Sequence, residues 1–287
     1  MGFFLVTTEH LANRLWFRDA EDFRAAMNFV AIVSITMNID VLAFILMSNH
    51  VHFVLECDEE SAKAFITELK KQYSRYFNLK YGTKELLRRN KVSIQELDPS
   101  DESLERAIAY TVMNCVAANI CANPFSYSWG TGDSYFRSTP SKGRKLGTLP
   151  GRRRIRLLHS EASLPDDLIV SDEGYILPES YVKVRFVESV FQTPKRMLFF
   201  LNNSSKAKHK LAAGENNIPS FRDQVVASAI PDLCRTLFGK NKAQELNREN
   251  LSELFRQIRF RFSSSIEQIA RTTGFSSETV THLLDNY

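Results

Sequence analysis

Two histidines separated by one apolar residue, His50-Val51-His52, stand inside the hydrophobic run Val41 to Leu55. In an extended strand, residues i and i+2 project to one face and the residue between them to the other. The spacing therefore sets two imidazoles side by side, about 7 Å apart at Cα from a rise of ~3.3 Å per residue. Val51 then faces a core. Polar rings on so apolar a strand need partners. One divalent metal ion satisfies both rings at once; ordinary core or surface histidines bonded to protein groups are the other reading. A metal held this way would act on an anionic substrate as a Lewis acid.

The second feature is Tyr110 followed by Asn114. Both fall on a predicted helix from Ser103 to Ala122, and residues four apart share a helix face. That face can offer a hydroxyl facing a metal-held substrate and an amide oxygen as a third metal ligand. The plainer reading of Tyr110 is a half-buried packing residue. Tyr73 and Tyr76, on a predicted helix from Glu59 to Tyr81, are competing candidates for that hydroxyl.

The elements around these residues follow from periodicity. Phe3 to Thr7 reads as a central strand. A helix starts at the acids Asp19 to Asp22 and places Phe23, Met27, Val30 and Ala31 on one face. Ile39 to Met47 and His50 to Glu56 form a tight antiparallel hairpin around Ser48-Asn49. The Glu59 to Tyr81 helix stops at Gly82, and the Ser103 to Ala122 helix at Asn123-Pro124. The order β-α-β-β-α-α predicts an α+β domain over residues 1–137, an antiparallel sheet with helices packed on one face.

A basic stretch follows. Ser138 to Arg156 contains Lys142, Arg144, Lys145, Arg152, Arg153 and Arg154, with no acid. Residues 138–178 are therefore expected to be a linker or long loop, either a solvated arm or a phosphate-binding segment. Residues 179–287 read as a helical domain ending in a helix-turn-helix at 264–287, with Ser265 and Ser276 as caps and Gly274 at the turn. Its second helix has no Lys or Arg, so base reading would rest on Ser277, Thr279 and Thr281; a small packing bundle is the alternative. Lys70, Lys71 and Arg75 are further candidates for the nucleic-acid backbone, or simply a solvated helix face.

With 287 residues, 44% of them hydrophobic, and a net charge of +4, the chain can bury a real core and tolerate a nucleic-acid partner. Its four cysteines form no CxxC pair and are expected to be reduced. No run approaches the ~20 apolar residues of a membrane span, so a cytoplasmic protein with no membrane partner is expected.

Three separated segments resemble one family. Leu42 to Leu55, with Met47-Ser48-Asn49-His50-Val51-His52 at its heart, looks like the HUH signature of the single-tyrosine transposases. Ala107-Ile108-Ala109-Tyr110-Thr111-Val112-Met113-Asn114 is similar to their catalytic helix, and Tyr127-Ser128-Trp129-Gly130 to the aromatic turn that follows it. The resemblance covers residues 1–137 and is strongest to the REP-associated branch of the IS200-type enzymes. It implies a ferredoxin-like sheet of the HUH endonuclease type. It also implies that His50, His52 and Asn114 hold Mg²⁺ or Mn²⁺, and that Tyr110 cuts single-stranded or hairpin DNA through a 5′-phosphotyrosine intermediate. Such enzymes work as monomers or homodimers. One departure is Cys115, where the family usually has proline. It keeps open a domesticated, catalytically silent DNA-binding regulator; a phosphodiesterase using water as nucleophile is a third reading.

Overall fold

The computed structural model describes residues 1–84, 87, 90–118, 120–204, 221–262 and 264–285. The chain divides into two compact units. The first comprises Met1–Glu9, Ala20–Met47 and Val51–Asn216; the second comprises His10–Asp19, Ser48–His50 and Asn217–Tyr287.

The first unit begins β1 (Gly2–Thr8), α1 (Ala20–Thr36), β2 (Asp40–Met47), β3 (His50–Cys57), α2 (Glu59–Tyr81) and β4 (Val92–Leu97). The sheet order is β2-β3-β1-β4, and β1 pairs antiparallel with both β3 and β4. This β-α-β-β-α-β order with β1 at the centre is ferredoxin-like. β1 earns the centre because it is apolar on both faces: Phe4 and Val6 are buried on one, while Phe3 and Leu5 pack against a core on the other. The β2–β3 hairpin turns at Ser48-Asn49, as its sequence predicts. α2 is closed at both ends by local chemistry. Asp58 accepts the Ser61 N–H at its start, and Gly82 takes a left-handed conformation at its end.

Helices cover both faces of the sheet, not one as expected. β3 shows why. Phe53 meets Phe65 of α2 edge-on at 5.1 Å, whereas Val54 joins the opposite core with Ile108, Val112 and Met113 of α3 (Ser103–Ala117). A strand apolar in both phases must be covered twice. α3 also ends before Ala122. The Ala118 N–H returns to Asn114 O (2.9 Å) and the Ile120 N–H to Cys115 O (2.9 Å), a Schellman-type closure.

Residues 138–178, expected as a linker, fold onto the first unit. They form β5 (Arg144–Lys145), α4 (Gly151–Leu158) and β6 (Ile169–Val170), with Leu146, Leu158, Val170 and Ile176 buried. Asn28 of α1 anchors them: its amide nitrogen donates to Leu157 O (3.0 Å) and Gly174 O (3.3 Å), and its oxygen accepts the Ile176 N–H (2.8 Å). α5 (Val184–Phe191) and α6 (Pro194–Asn202) likewise pack in this unit, through Val187, Phe191, Met197 and Phe200 against α3. The expected domain start at residue 179 therefore falls inside the first unit. Positions 205–220 of that expected domain lie outside the described residues.

The aromatic turn after α3 runs along β2. The Leu46 N–H donates to Trp129 O (2.8 Å), the Thr131 N–H to Phe44 O (3.0 Å) and the Tyr127 hydroxyl to Leu46 O (2.7 Å). Gly130 permits this approach. A Cβ there would sit 2.7 Å from Phe44 O and 3.2 Å from Ile45 Cα. Gly130→Ala is expected to cost about 1–3 kcal/mol through backbone overpacking. A thermal melt unchanged by the substitution would contradict this account of the turn.

The second unit packs α7 (Asp223–Phe238), α8 (Arg248–Phe262), α9 (Ile266–Thr273) and α10 (Ser277–Asp285) around Val226, Leu254, Phe255, Ile258, Ile269 and Val280. Ser265 caps α9 by accepting the Gln268 N–H, Gly274 ends it in a left-handed conformation, and Ser276 accepts the Thr279 N–H at the start of α10. Residues 286 and 287, at the end of the expected helix-turn-helix, lie outside the described residues. Among the described residues, no helix is long and apolar enough to cross a membrane.

Candidate active site

His50 and His52 both lie on β3, in the same phase of the strand. His52 sits opposite Thr7 of β1 and is 3% exposed. Its ring meets the Tyr110 ring at a centroid distance of 5.4 Å and an interplanar angle of 83°. An imidazole from the sheet and a phenol from α3, 58 positions apart in sequence, are thus neighbours. Tyr110 is only half-buried, although Ile108, Ala109, Thr111 and Val112 around it are buried. It is the partly exposed position in a buried stretch of the helix.

Asn114 is buried one turn further on. Its Nδ2 donates to Tyr110 O at 2.7 Å. This turns the amide nitrogen toward the helix, so a ligand role falls to Oδ1. The family-like Tyr110–Asn114 pair is therefore coupled through the backbone of one helical turn.

His50 is 5% exposed, with Nδ1 2.8 Å from Asn49 Oδ1. The orientation of Asn49 is set independently, because its Nδ2 donates to Leu11 O (3.1 Å). Oδ1 is then the acceptor, Nδ1 carries the proton, and Nε2 is the unprotonated ring nitrogen. This is the tautomer that metal-binding histidines commonly use. The His50 ring also stacks on His10, with centroids 3.7 Å apart and planes 14° from parallel. Sequence reading missed His10. It follows β1 with no periodic relation to the hairpin, and only the folded chain brings residues 10 and 50 together.

As donor types, imidazole and amide oxygen suit Mn²⁺ better than Mg²⁺, which prefers oxygen ligands throughout. Among the described residues, no group of three His, Cys, Asp or Glu side chains gathers as a metal cluster. All four cysteines are free thiols.

The competing tyrosines are placed differently. Tyr73 and Tyr76 are buried, and the Tyr76 hydroxyl donates to Asp22 at 3.3 Å. Burial, with the Asp22 charge beside it, pushes the Tyr76 phenol well above its ordinary range.

The candidate DNA contacts separate into two groups. Lys70 is half-buried and its ammonium bonds Asn90 O at 2.5 Å; burial lowers its pKa. Lys71 pairs with Glu68 at 3.0 Å, and Arg154 with Asp166 at 2.9 Å. These three have intramolecular partners. Lys142, Arg144, Lys145, Arg152 and Arg153 are exposed, the last two on α4. Arg75 is exposed on α2 and lines a cavity of about 790 Å³ with Tyr76, Lys80 and His159. On α10, Ser277, Thr279 and Thr281 are partly buried, and Thr279 is hydrogen-bonded to the Ser276 cap.

Residues 14–92 match the family model described as "Transposase IS200 like". The match includes both histidines and ends before α3. Among solved structures, that of a REP-associated tyrosine transposase bound to a REP hairpin aligns with a TM-score of 0.38 and 13% identity, covering 57% of this chain and 86% of that one. No curated protein matches the chain.

Proposed function

We propose that this chain, similar to IS200-like transposases over residues 14–92, is a DNA strand transferase that uses Tyr110 as its nucleophile. The observation that carries the proposal is the contact between His52 and Tyr110. The family match reaches the histidines but not the tyrosine. In the fold the Tyr110 ring lies beside the His52 ring.

The chemistry follows from the groups present. The substrate is a phosphodiester in single-stranded or hairpin DNA. The Tyr110 oxygen attacks phosphorus, the bond from phosphorus to the 3′ oxygen breaks, and the DNA strand is left as a 5′-phosphotyrosine with a free 3′-OH. The phenolic proton passes to solvent or base, and the departing oxygen takes one up. A 3′-OH later reverses the attack and rejoins the strand, so no nucleotide energy source is required. A free phenol with pKa near 10 is only about one-thousandth ionised at pH 7. A divalent cation held by His50, His52 and the Asn114 amide oxygen would supply the positive charge that the phosphate and developing phenolate need. The half-exposed position of Tyr110 leaves room for a strand to approach. The exposed cations Lys142, Arg144, Lys145, Arg152 and Arg153 can hold phosphates by sequence-independent attraction.

His52→Ala is expected to reduce Mn²⁺-dependent cleavage of a hairpin oligonucleotide by about 10²–10³-fold, the scale on which electrostatic stabilisation of a transition state is lost. The check is a cleavage time course with and without EDTA. Cleavage at the wild-type rate in His52→Ala would remove histidine from the mechanism. Hairpin binding with no cleavage and no adduct under any metal would favour the silent regulator that Cys115 keeps open.

A further inference from the structure

The turn that carries the first histidine is gripped from the C-terminal helices. Ser48 is 8% exposed, and its hydroxyl donates to Asp223 Oδ2 at 2.5 Å. Asp223 is the first residue of α7 and is itself 5% exposed. It accepts from Gln268 Nε2 (2.9 Å) and pairs with Arg271, whose Nε lies 3.2 Å from Oδ2. The Ser48 carbonyl is occupied as well, by the Trp16 N–H (2.7 Å) and the Phe17 N–H (3.3 Å), while Gln224 of α7 donates to Phe17 O (2.8 Å). Asn49 is tied to Leu11 by two bonds, its carbonyl accepting the Leu11 N–H at 3.0 Å and its Nδ2 donating to Leu11 O at 3.1 Å. All of these residues belong to the second unit.

A helical domain used only to read DNA needs no such link to a β-turn. A buried carboxylate is costly to hold, and it is tolerated here because an arginine, an amide and a hydroxyl all address it. One of those addresses is Ser48, two residues before His50. We propose that Asp223, acting through Ser48, is a positioning residue for His50, so that the C-terminal helices preset the metal-binding turn. The proposal rests on the reading of His50 as a metal ligand. Partners of this outer kind typically change metal affinity by 10–100-fold when removed.

Ser48→Ala tests it in the full-length chain, because it removes the link and leaves the Asp223–Arg271 pair in place. Free Mn²⁺ is measured by electron paramagnetic resonance, backbone exchange over residues 47–52 by hydrogen–deuterium exchange, and folding by thermal melting. Mn²⁺ affinity is expected to fall roughly tenfold in Ser48→Ala, with faster exchange in the turn, and to recover to within about threefold in Ser48→Thr, which keeps the hydroxyl. Asp223→Ala is expected to match Ser48→Ala in affinity while also lowering the melting temperature. Wild-type affinity and exchange in Ser48→Ala, alongside lost binding in His50→Ala, would overturn the positioning role alone. A loss that Ser48→Thr does not restore would also overturn it. Wild-type affinity in His50→Ala would instead overturn the metal-site reading.

Discussion

Tyr110→Phe is expected to abolish the covalent protein–DNA adduct and to slow hairpin cleavage by at least about 10³-fold, the scale of removing a nucleophile. The substitution deletes one oxygen. The Phe ring retains the edge-on contact with His52, and Asn114 still bonds the carbonyl of residue 110, because that bond is to the backbone. Tyr110 is half-exposed, so its hydroxyl contributes little to folding, and the melting temperature should shift by no more than the few degrees that ~1 kcal/mol produces. The measurement is denaturing electrophoresis of a labelled hairpin after incubation with Mn²⁺, paired with a circular-dichroism melt. A wild-type yield of adduct in Tyr110→Phe would transfer the nucleophile elsewhere. Tyr73 and Tyr76 would be the next residues to replace, but their burial and the bond from Tyr76 to Asp22 argue against them. An adduct lost together with the fold would contradict the peripheral placement of the Tyr110 hydroxyl.

The local features of this chain were legible before the fold. The β2–β3 hairpin, the stop of α2 at Gly82 and the caps at Ser265 and Ser276 each follow from side chains within a few residues of the backbone groups they satisfy. What escaped depends on distant partners. β4 has only six residues, and Ser93, Gln95 and Glu96 dilute its alternation; its strand character comes from pairing with β1. The segment 138–178 reads as a linker because arginines, glycines and prolines hide its leucines, whose spacing is irregular. Leu146, Leu149, Leu158, Leu164 and Leu168 are nevertheless buried, and Asn28, more than a hundred positions earlier, fixes the backbone. Helices on both faces were foreshadowed by β3, where Val54 is as apolar as Phe53. His50 and His52 do fall on one strand, β3, as their spacing suggests, but Tyr110 was tied to them by family resemblance. The stacking of His10 on His50 and the tie from Ser48 to Asp223 had no local signal at all.

Asp22→Ala is expected to be the most destabilising single substitution considered in the first unit. Asp22 lies on α1, its side chain fully buried, and it is addressed from α2 by three groups. Lys80 Nζ lies 2.9 Å from Oδ1, the Tyr81 hydroxyl 2.9 Å from Oδ2, and the Tyr76 hydroxyl 3.3 Å from Oδ1. The carboxylate therefore joins the two helices that cover one face of the sheet. Truncation takes the buried acceptor away from an ammonium and two phenols, and breaking a buried pair from one side costs about 3–5 kcal/mol. The lower end applies, because Lys80 is 20% exposed and keeps Glu21 at 3.0 Å. With 2–4 °C of melting temperature per kcal/mol for a unit of this size, a fall of roughly 6–12 °C is expected. Asp22→Asn keeps an acceptor for a phenol but loses the ion pair, and should fall between the two. The double variant Asp22→Ala/Lys80→Met removes both charges. It should recover part of the loss, since part of the penalty of Asp22→Ala lies in the ammonium that loses its buried partner. Additive losses in the double variant would show that Asp22 acts by packing, and that the pairing across α1 and α2 contributes little.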